Sequence, residues 1–207
     1  MTTVAGLIRD GRIWIASDDQ VTLGNLKVDV PNFKVFRHLD ALWGVTGDIY
    51  DRQVLLTKVK KIDRDNEMTD YEYLVRIVND WRAALQEVEG SPKYNEKRYS
   101  NSQALIGYHS KLYTVGSDYS LLPIDRCYHA LGSGGEVALG ALQVLRRYLK
   151  HPEQILADVI DAAHVHDINT GATHSIVTDA PVDTDVQESQ TRQLNGTSQS
   201  RPEATSA

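Results

Sequence analysis

Strand-like runs interrupted twice by a pair of helical stretches are the feature that most constrains this chain. Residues 4–9 and 12–17 are rich in Val, Ile and Trp, and Asp10-Gly11 between them suits a two-residue type I′ turn. Residues 34–37 and 41–46 form a second such pair; after Gly47 the apolar spacing becomes helical, with Asp48 placed to cap. A further helix starts at Thr69, where Thr69 and Glu72 make a capping-box pair, and carries Leu74, Ile77, Val78, Trp81, Leu85 and Val88 on one face until Gly90. Strands are expected at 104–108 and 111–115, around His109-Ser110, and in a short run ending near Leu131. Beyond Gly132-Ser133-Gly134-Gly135 one helix presents Val137, Ala141, Val144, Leu145 and Tyr148, and Pro152 opens another with Ile155, Val159, Ile160 and Ala163, ended by Gly171. A last strand covers 173–178. Strands, two helices, strands, two helices and a strand predict an α+β fold, a four-layer αββα sandwich of two stacked antiparallel sheets with a helix pair on each outer face.

The 207 residues, 41% of them hydrophobic, suffice for one domain with a sizeable core. That domain is expected over 1–178. From 179 to 207 the chain turns to Thr, Gln, Ser, Asp, Glu, Asn and Pro and reads as a disordered polar tail, because too little apolar surface is available to offset the entropy of ordering it. The net charge is −6 and no Lys/Arg block forms a phosphate-tracking stripe, so no nucleic-acid partner is expected. Cys127 is the single cysteine, which excludes an intramolecular disulfide and a cysteine zinc cluster and fits a reducing cytoplasm. No signal-peptide pattern and no membrane-length apolar run is present, so no membrane partner is expected either.

Thr2 follows Met1 directly. Methionine before a small residue is readily trimmed, which leaves a free α-amine beside a β-hydroxyl. A threonine hydroxyl is a poor nucleophile alone, but an α-amine of pKa near ~8 accepts its proton at physiological pH, so one residue supplies nucleophile and base.

Thr2-Thr3-Val4, the run Asp18-Asp19-Gln20-Val21-Thr22-Leu23-Gly24-Asn25 and Lys34-Val35 together resemble the HslV-type peptidases and proteasome β-subunits, which are N-terminal-nucleophile (Ntn) hydrolases. Val45-Thr46-Gly47-Asp48-Ile49-Tyr50-Asp51 looks like the family's glycine turn entering its first helix. Leu131-Gly132-Ser133-Gly134-Gly135 looks like its Gly-Ser-Gly segment, and Asp167-Ile168-Asn169-Thr170-Gly171 looks like the β-subunit Asp-x-x-Ser-Gly. The pieces occur in order and span Thr2 to Thr178. The resemblance implies a threonine-type endopeptidase with Thr2 as nucleophile, Lys34 lowering the pKa values of its hydroxyl and amine, and Asp18 orienting Lys34. It also implies that the Gly47 backbone N–H meets the developing oxyanion, and that Ser133, Asp167 and Thr170 hold the nucleophile in position. A small, mostly apolar pocket is expected near Val21, Asn32 and Val45, favouring apolar side chains. No cofactor is required for the chemistry; some family members hold a structural monovalent or divalent cation through backbone carbonyls, here those of His164, Asp167 and Thr170.

By the same resemblance the partners are a polypeptide substrate, further copies of the chain in a ring and an ATP-dependent unfoldase. Two departures stand out. Asp19 occupies a position usually glycine in HslV-type chains, and Asp167 is more like proteasome β-subunits while 20–25 is more like HslV. Two other functions fit the same motifs: an inactive, ring-forming structural subunit, and an Ntn amidase acting on a small amide. A small-molecule binding module using the glycine-rich segment is a third.

Overall fold

The computed structural model describes residues 2–65, 67–89 and 101–179. Of the expected tail only Asp179 falls among them, and the expected helix terminator Gly90 lies outside them.

β1 (Thr3–Arg9) and β2 (Arg12–Asp18) form the first hairpin, and Asp10 and Gly11 both take positive φ, 51° and 75°, as the type I′ turn requires. β3 (Gln20–Leu23) and β4 (Leu26–Asp29) follow as a separate two-stranded ribbon. β5 (Val35–His38) and β6 (Ala41–Thr46) lead into α1 (Ile49–Lys58), and α2 covers Asp70–Glu89. The Asp48 side chain accepts the Tyr50 N–H and caps α1; Thr69 and Glu72 exchange bonds at the start of α2. β7 (Gln103–Tyr108), β8 (Lys111–Val115), β9 (Leu121–Ile124) and β10 (Tyr128–Gly132) precede α3 (Gly135–Tyr148), α4 (Pro152–His166) and β11 (His174–Thr178).

These elements assemble as the expected αββα sandwich. One sheet has the order β10-β1-β2-β11 and the other β5-β6-β7-β8-β9, antiparallel throughout. The period-two alternation of the strands sorts their side chains into three cores. On β1, Val4 points between the sheets, where it meets Ile15, Leu105 and Leu112, whereas Ala5 and Leu7 face α3 and α4 and meet Leu142, Ile155 and Val159. On β6, Leu42 faces inward while Trp43 and Val45 pack under α1 and α2 against Leu74, Ile77 and Trp81. Close approach of the sheets depends on missing side chains: a Cβ on Gly44 would stand 2.5 Å from Val4, and one on Gly107 2.7 Å from Ile13. No described helix is long and apolar enough to cross a membrane.

Several expectations need correction. The β3–β4 ribbon and β9 lie in stretches to which the sequence reading assigns no element, because strands of four residues carry too few alternations to stand out. α4 stops at His166 rather than at Gly171, so Asp167 is its C-cap and 167–170 form a turn. The face of α3 is rotated: Gly135, Ala138 and Leu142 are buried, whereas Val144 and Tyr148, expected inside, are 53% and 78% exposed. Asp179, assigned to the tail, extends the sheet: its carboxylate accepts the Ile13 N–H at 2.7 Å and its own N–H donates to the Ile13 carbonyl.

Candidate active site

The site lies at the edge of the stacked sheets, where β1 begins between the ends of β2 and β10. Thr3 pairs with Gly132, and the Ser133 N–H donates to the Thr2 carbonyl at 3.0 Å. Gly132 takes φ 94°, and any Cβ there would strike the Thr2 carbonyl oxygen, so glycine is needed for the backbone to come this close. Thr2 itself is 5% exposed. It lines one pocket together with Lys34 and Gly47, each more than thirty positions from Thr2 in the chain.

Asp18 ends β2 fully buried, and its carboxylate gathers four donors. One oxygen accepts the Thr3 N–H at 2.9 Å. The other accepts the Gln20 and Gly171 N–H groups at 3.2 and 3.0 Å and the Lys34 ammonium at 2.8 Å. Three backbone donors and one cation satisfy the charge that burial would otherwise make costly. Lys34 immediately precedes β5, tied down by the Val45 N–H on its carbonyl at 2.9 Å. Burial pushes the Lys34 ammonium below the ordinary lysine value, and the pull of Asp18 opposes this without cancelling it.

Gly47 sits at the junction of β6 and α1 with φ 95°, and a Cβ there would meet the Asn101 carbonyl oxygen at 2.3 Å, so no other residue fits. On the other flank, Ser133 and Thr170 both donate to one oxygen of Asp167, at 2.5 and 2.7 Å. The Thr170 proton is thereby used, so Thr3 is the donor in the 2.6 Å contact between the Thr3 and Thr170 hydroxyls. Partial burial works against the Asp167 charge, but these bonds and those from Asn169 hold its carboxyl below the usual range. A relay therefore runs from Thr3 beside the candidate nucleophile through Thr170 to Asp167. Thr3 was quoted in the motif without a role, and nothing short of the three-dimensional contact assigns it one.

Asp19, the departure from the resembled pattern, bonds to β11 rather than to Lys34 in an ion pair. It accepts the Ser175 hydroxyl at 2.6 Å, which in turn accepts the Asn32 N–H at 2.7 Å. Burial and the neighbouring Asp18 push its carboxyl up. Of the three residues expected to line the pocket, Val21 and Val45 do so; Asn32 is exposed, takes φ 57° and does not line it. Its place is taken by Phe33, and Ile49 and Arg52 of α1 supply a further wall that the sequence alone did not single out. At the proposed cation site the Thr170 carbonyl accepts the His164 Nδ1–H at 2.8 Å and the Asp167 carbonyl accepts the Thr170 N–H at 3.0 Å. Among the described residues no cluster of three His, Cys, Asp or Glu side chains could hold a metal ion.

No family model matches the chain. It is 28% identical over 162 residues to the ATP-dependent protease subunit HslV of Chlorobium phaeobacteroides strain BS1, an alignment covering 77% of this chain and 81% of the relative. Among solved structures, Thiobacillus denitrificans BPH in complex with epoxomicin superimposes with a TM-score of 0.73 at 22% identity, over 87% of this chain and all of that one. HslV from Trypanosoma brucei superimposes with a TM-score of 0.63 at 18% identity, over 86% and 98% of the two chains. In sequence and in fold alike, the chain resembles the HslV-type, proteasome-like Ntn hydrolases.

Proposed function

We propose that the chain is a threonine-type endopeptidase whose nucleophile is Thr2, freed by loss of Met1. The observation that carries this reading is the single pocket lined by Thr2, Lys34 and Gly47, with Lys34 held by a buried Asp18. The Thr2 α-amine accepts the hydroxyl proton as Oγ1 attacks the peptide carbonyl carbon. The Lys34 ammonium eases that transfer by lowering the pKa of both groups, and the Gly47 N–H donates to the oxyanion, a contact typically worth about 3 kcal/mol. Collapse breaks the C–N bond, the protonated α-amine gives its proton to the leaving amine, and a threonyl ester remains. Water then adds to the ester with the same amine as base, releasing the acid and restoring Thr2. Thr3, Thr170, Asp167 and Ser133 hold the strand start in place by the relay described above.

The same reading extends to partners. A cytoplasmic ring of identical chains fed by an ATP-driven unfoldase is the working assembly, supported by the relative's name as a subunit of an ATP-dependent protease. The chemistry uses no cofactor, and any cation at His164, Asp167 and Thr170 is structural.

Intact mass before and after treatment with an epoxyketone peptide tests the core of the proposal. The expected result is a mature chain lacking Met1 that gains one probe, and a Thr2→Ala variant that gains none. A mature chain that retains Met1 overturns it. A chain that loses Met1 but gains no probe favours the inactive ring subunit instead.

A further inference from the structure

Arg52 is the fourth residue of α1, and it lines the pocket that Thr2 also lines. Its carbon lies 4.2 Å from the centre of the Phe33 ring and 4.7 Å from that of Phe36, so two aromatic faces hold the long side chain in place. Its Nε is buried without a hydrogen-bond partner in the structure. The ion pairs among the described residues are Lys34–Asp18, Lys61–Asp40, Arg64–Asp70 and His109–Asp70; none includes Arg52. Asp48 lines the same pocket, but its carboxylate accepts the Tyr50 N–H at the start of α1. Burial disfavours the Arg52 charge and no carboxylate among the described residues offsets it, although a guanidinium stays protonated at any physiological pH.

A partly buried, pre-positioned cation with no counter-ion among the described residues is an incomplete ion pair. The Val21, Val45 and Ile49 side chains around it would cover the methylenes of an incoming side chain but cannot supply a negative charge. We propose that Arg52 is the specificity-determining residue of this pocket and selects substrates with an acidic side chain on the acyl side of the scissile bond. The substrate carboxylate meets the guanidinium, whose planar fork matches it in two parallel hydrogen bonds. This proposal differs from the sequence-based expectation of an apolar preference. It rests on the proposal that Thr2 is the nucleophile only in placing the pocket next to the cleaved bond.

Two measurements test it. The first compares kcat/KM for fluorogenic peptides that differ only in Glu, Leu or Lys before the cleaved bond. The expected result is a preference for Glu, a fall in the Glu/Leu ratio of about 10- to 100-fold in Arg52→Met, and a turn towards Lys in Arg52→Glu. Equal use of Glu and Leu by the unaltered chain overturns the proposal, as does an Arg52→Met variant in which the ratio does not move. The second titrates N-acetyl tripeptides ending in Glu or Leu into the Thr2→Ala chain by calorimetry, which reads the pocket without chemistry. Tighter binding of the Glu peptide, abolished in Thr2→Ala/Arg52→Met, supports the acidic pocket even if no peptide is turned over, an outcome that would sink the peptidase reading alone. Equal binding of the two tripeptides overturns the acidic pocket even if peptides are cleaved.

Discussion

Two cations line one pocket, and the protein treats them in opposite ways. Lys34 is 6% exposed and shares a carboxylate oxygen of Asp18 with two backbone N–H groups, while a third donor holds the other oxygen. Arg52 rests on two aromatic rings and has no counter-ion among the described residues. A group that must sit still beside a reacting hydroxyl needs its charge compensated inside the protein, because a buried unpaired ammonium would move or lose its proton. A group that recognises an incoming charge must leave its own unmet. The Asp18–Lys34 corner is thus finished without substrate, and the Phe33–Arg52 corner is not.

The sharpest way to break this contrast is to remove one partner from each corner. Asp18→Ala leaves Lys34 buried and unpaired and strands three backbone donors, so chemical denaturation should show a loss of about 3–5 kcal/mol. Arg52→Met orphans no charge, and the ring contacts it forfeits, worth about 1 kcal/mol, are partly offset by relief of the buried charge, so its loss should be below about 1 kcal/mol. Equal losses would mean that the two corners do not differ as described.

A smaller effect is expected in the pH profile. The Lys34 pKa is lowered by burial, so its proton leaves before that of an ordinary lysine, and the contribution of its charge to catalysis disappears as pH rises through that value. The alkaline limb of kcat/KM should therefore fall below the ordinary lysine value of ~10.4, and lower still in Asp18→Asn, which removes the opposing pull. A limb that does not shift in Asp18→Asn would uncouple the two residues.

The least effect is expected at Asp19. Its folded pKa is raised, so the folded state binds this proton more tightly than the unfolded chain. Stability then falls as pH rises from the unfolded value of ~3.9 through the folded one. Asp19→Asn should raise the melting temperature at pH 7 and do so by less at pH 4, read by thermal denaturation at the two pH values. A gain of the same size at both pH values would refute the assignment.

Much of the site could be read from local sequence because its parts sit at element ends, which turn chemistry marks. Gly47 follows a strand and precedes a capped helix, and Gly132 opens the glycine-rich turn after β10. Arg52 carried no such mark. It is one charged position on a short helix, and its meaning depends on Phe33 and Phe36, which approach it from another element. Asn32 misled for a related reason: its neighbour in the chain, not Asn32 itself, turns into the pocket. The α3 face slipped because Val144 and Tyr148 satisfy helical spacing as well as Ala138 and Leu142 do, and only packing on β1 and β10 selects the latter.

Alternation, turn residues and caps act over a few positions, so the chain by itself determined the hairpins, the long helices, their order and the residue types capable of N-terminal nucleophile chemistry. Which carboxylate faces Lys34, which hydroxyl donates to which, and which cation is left without a partner depend on groups far apart in sequence. Those were decided only when two sheets stacked closely enough, across Gly44 and Gly107, to bring strand ends from both into one pocket.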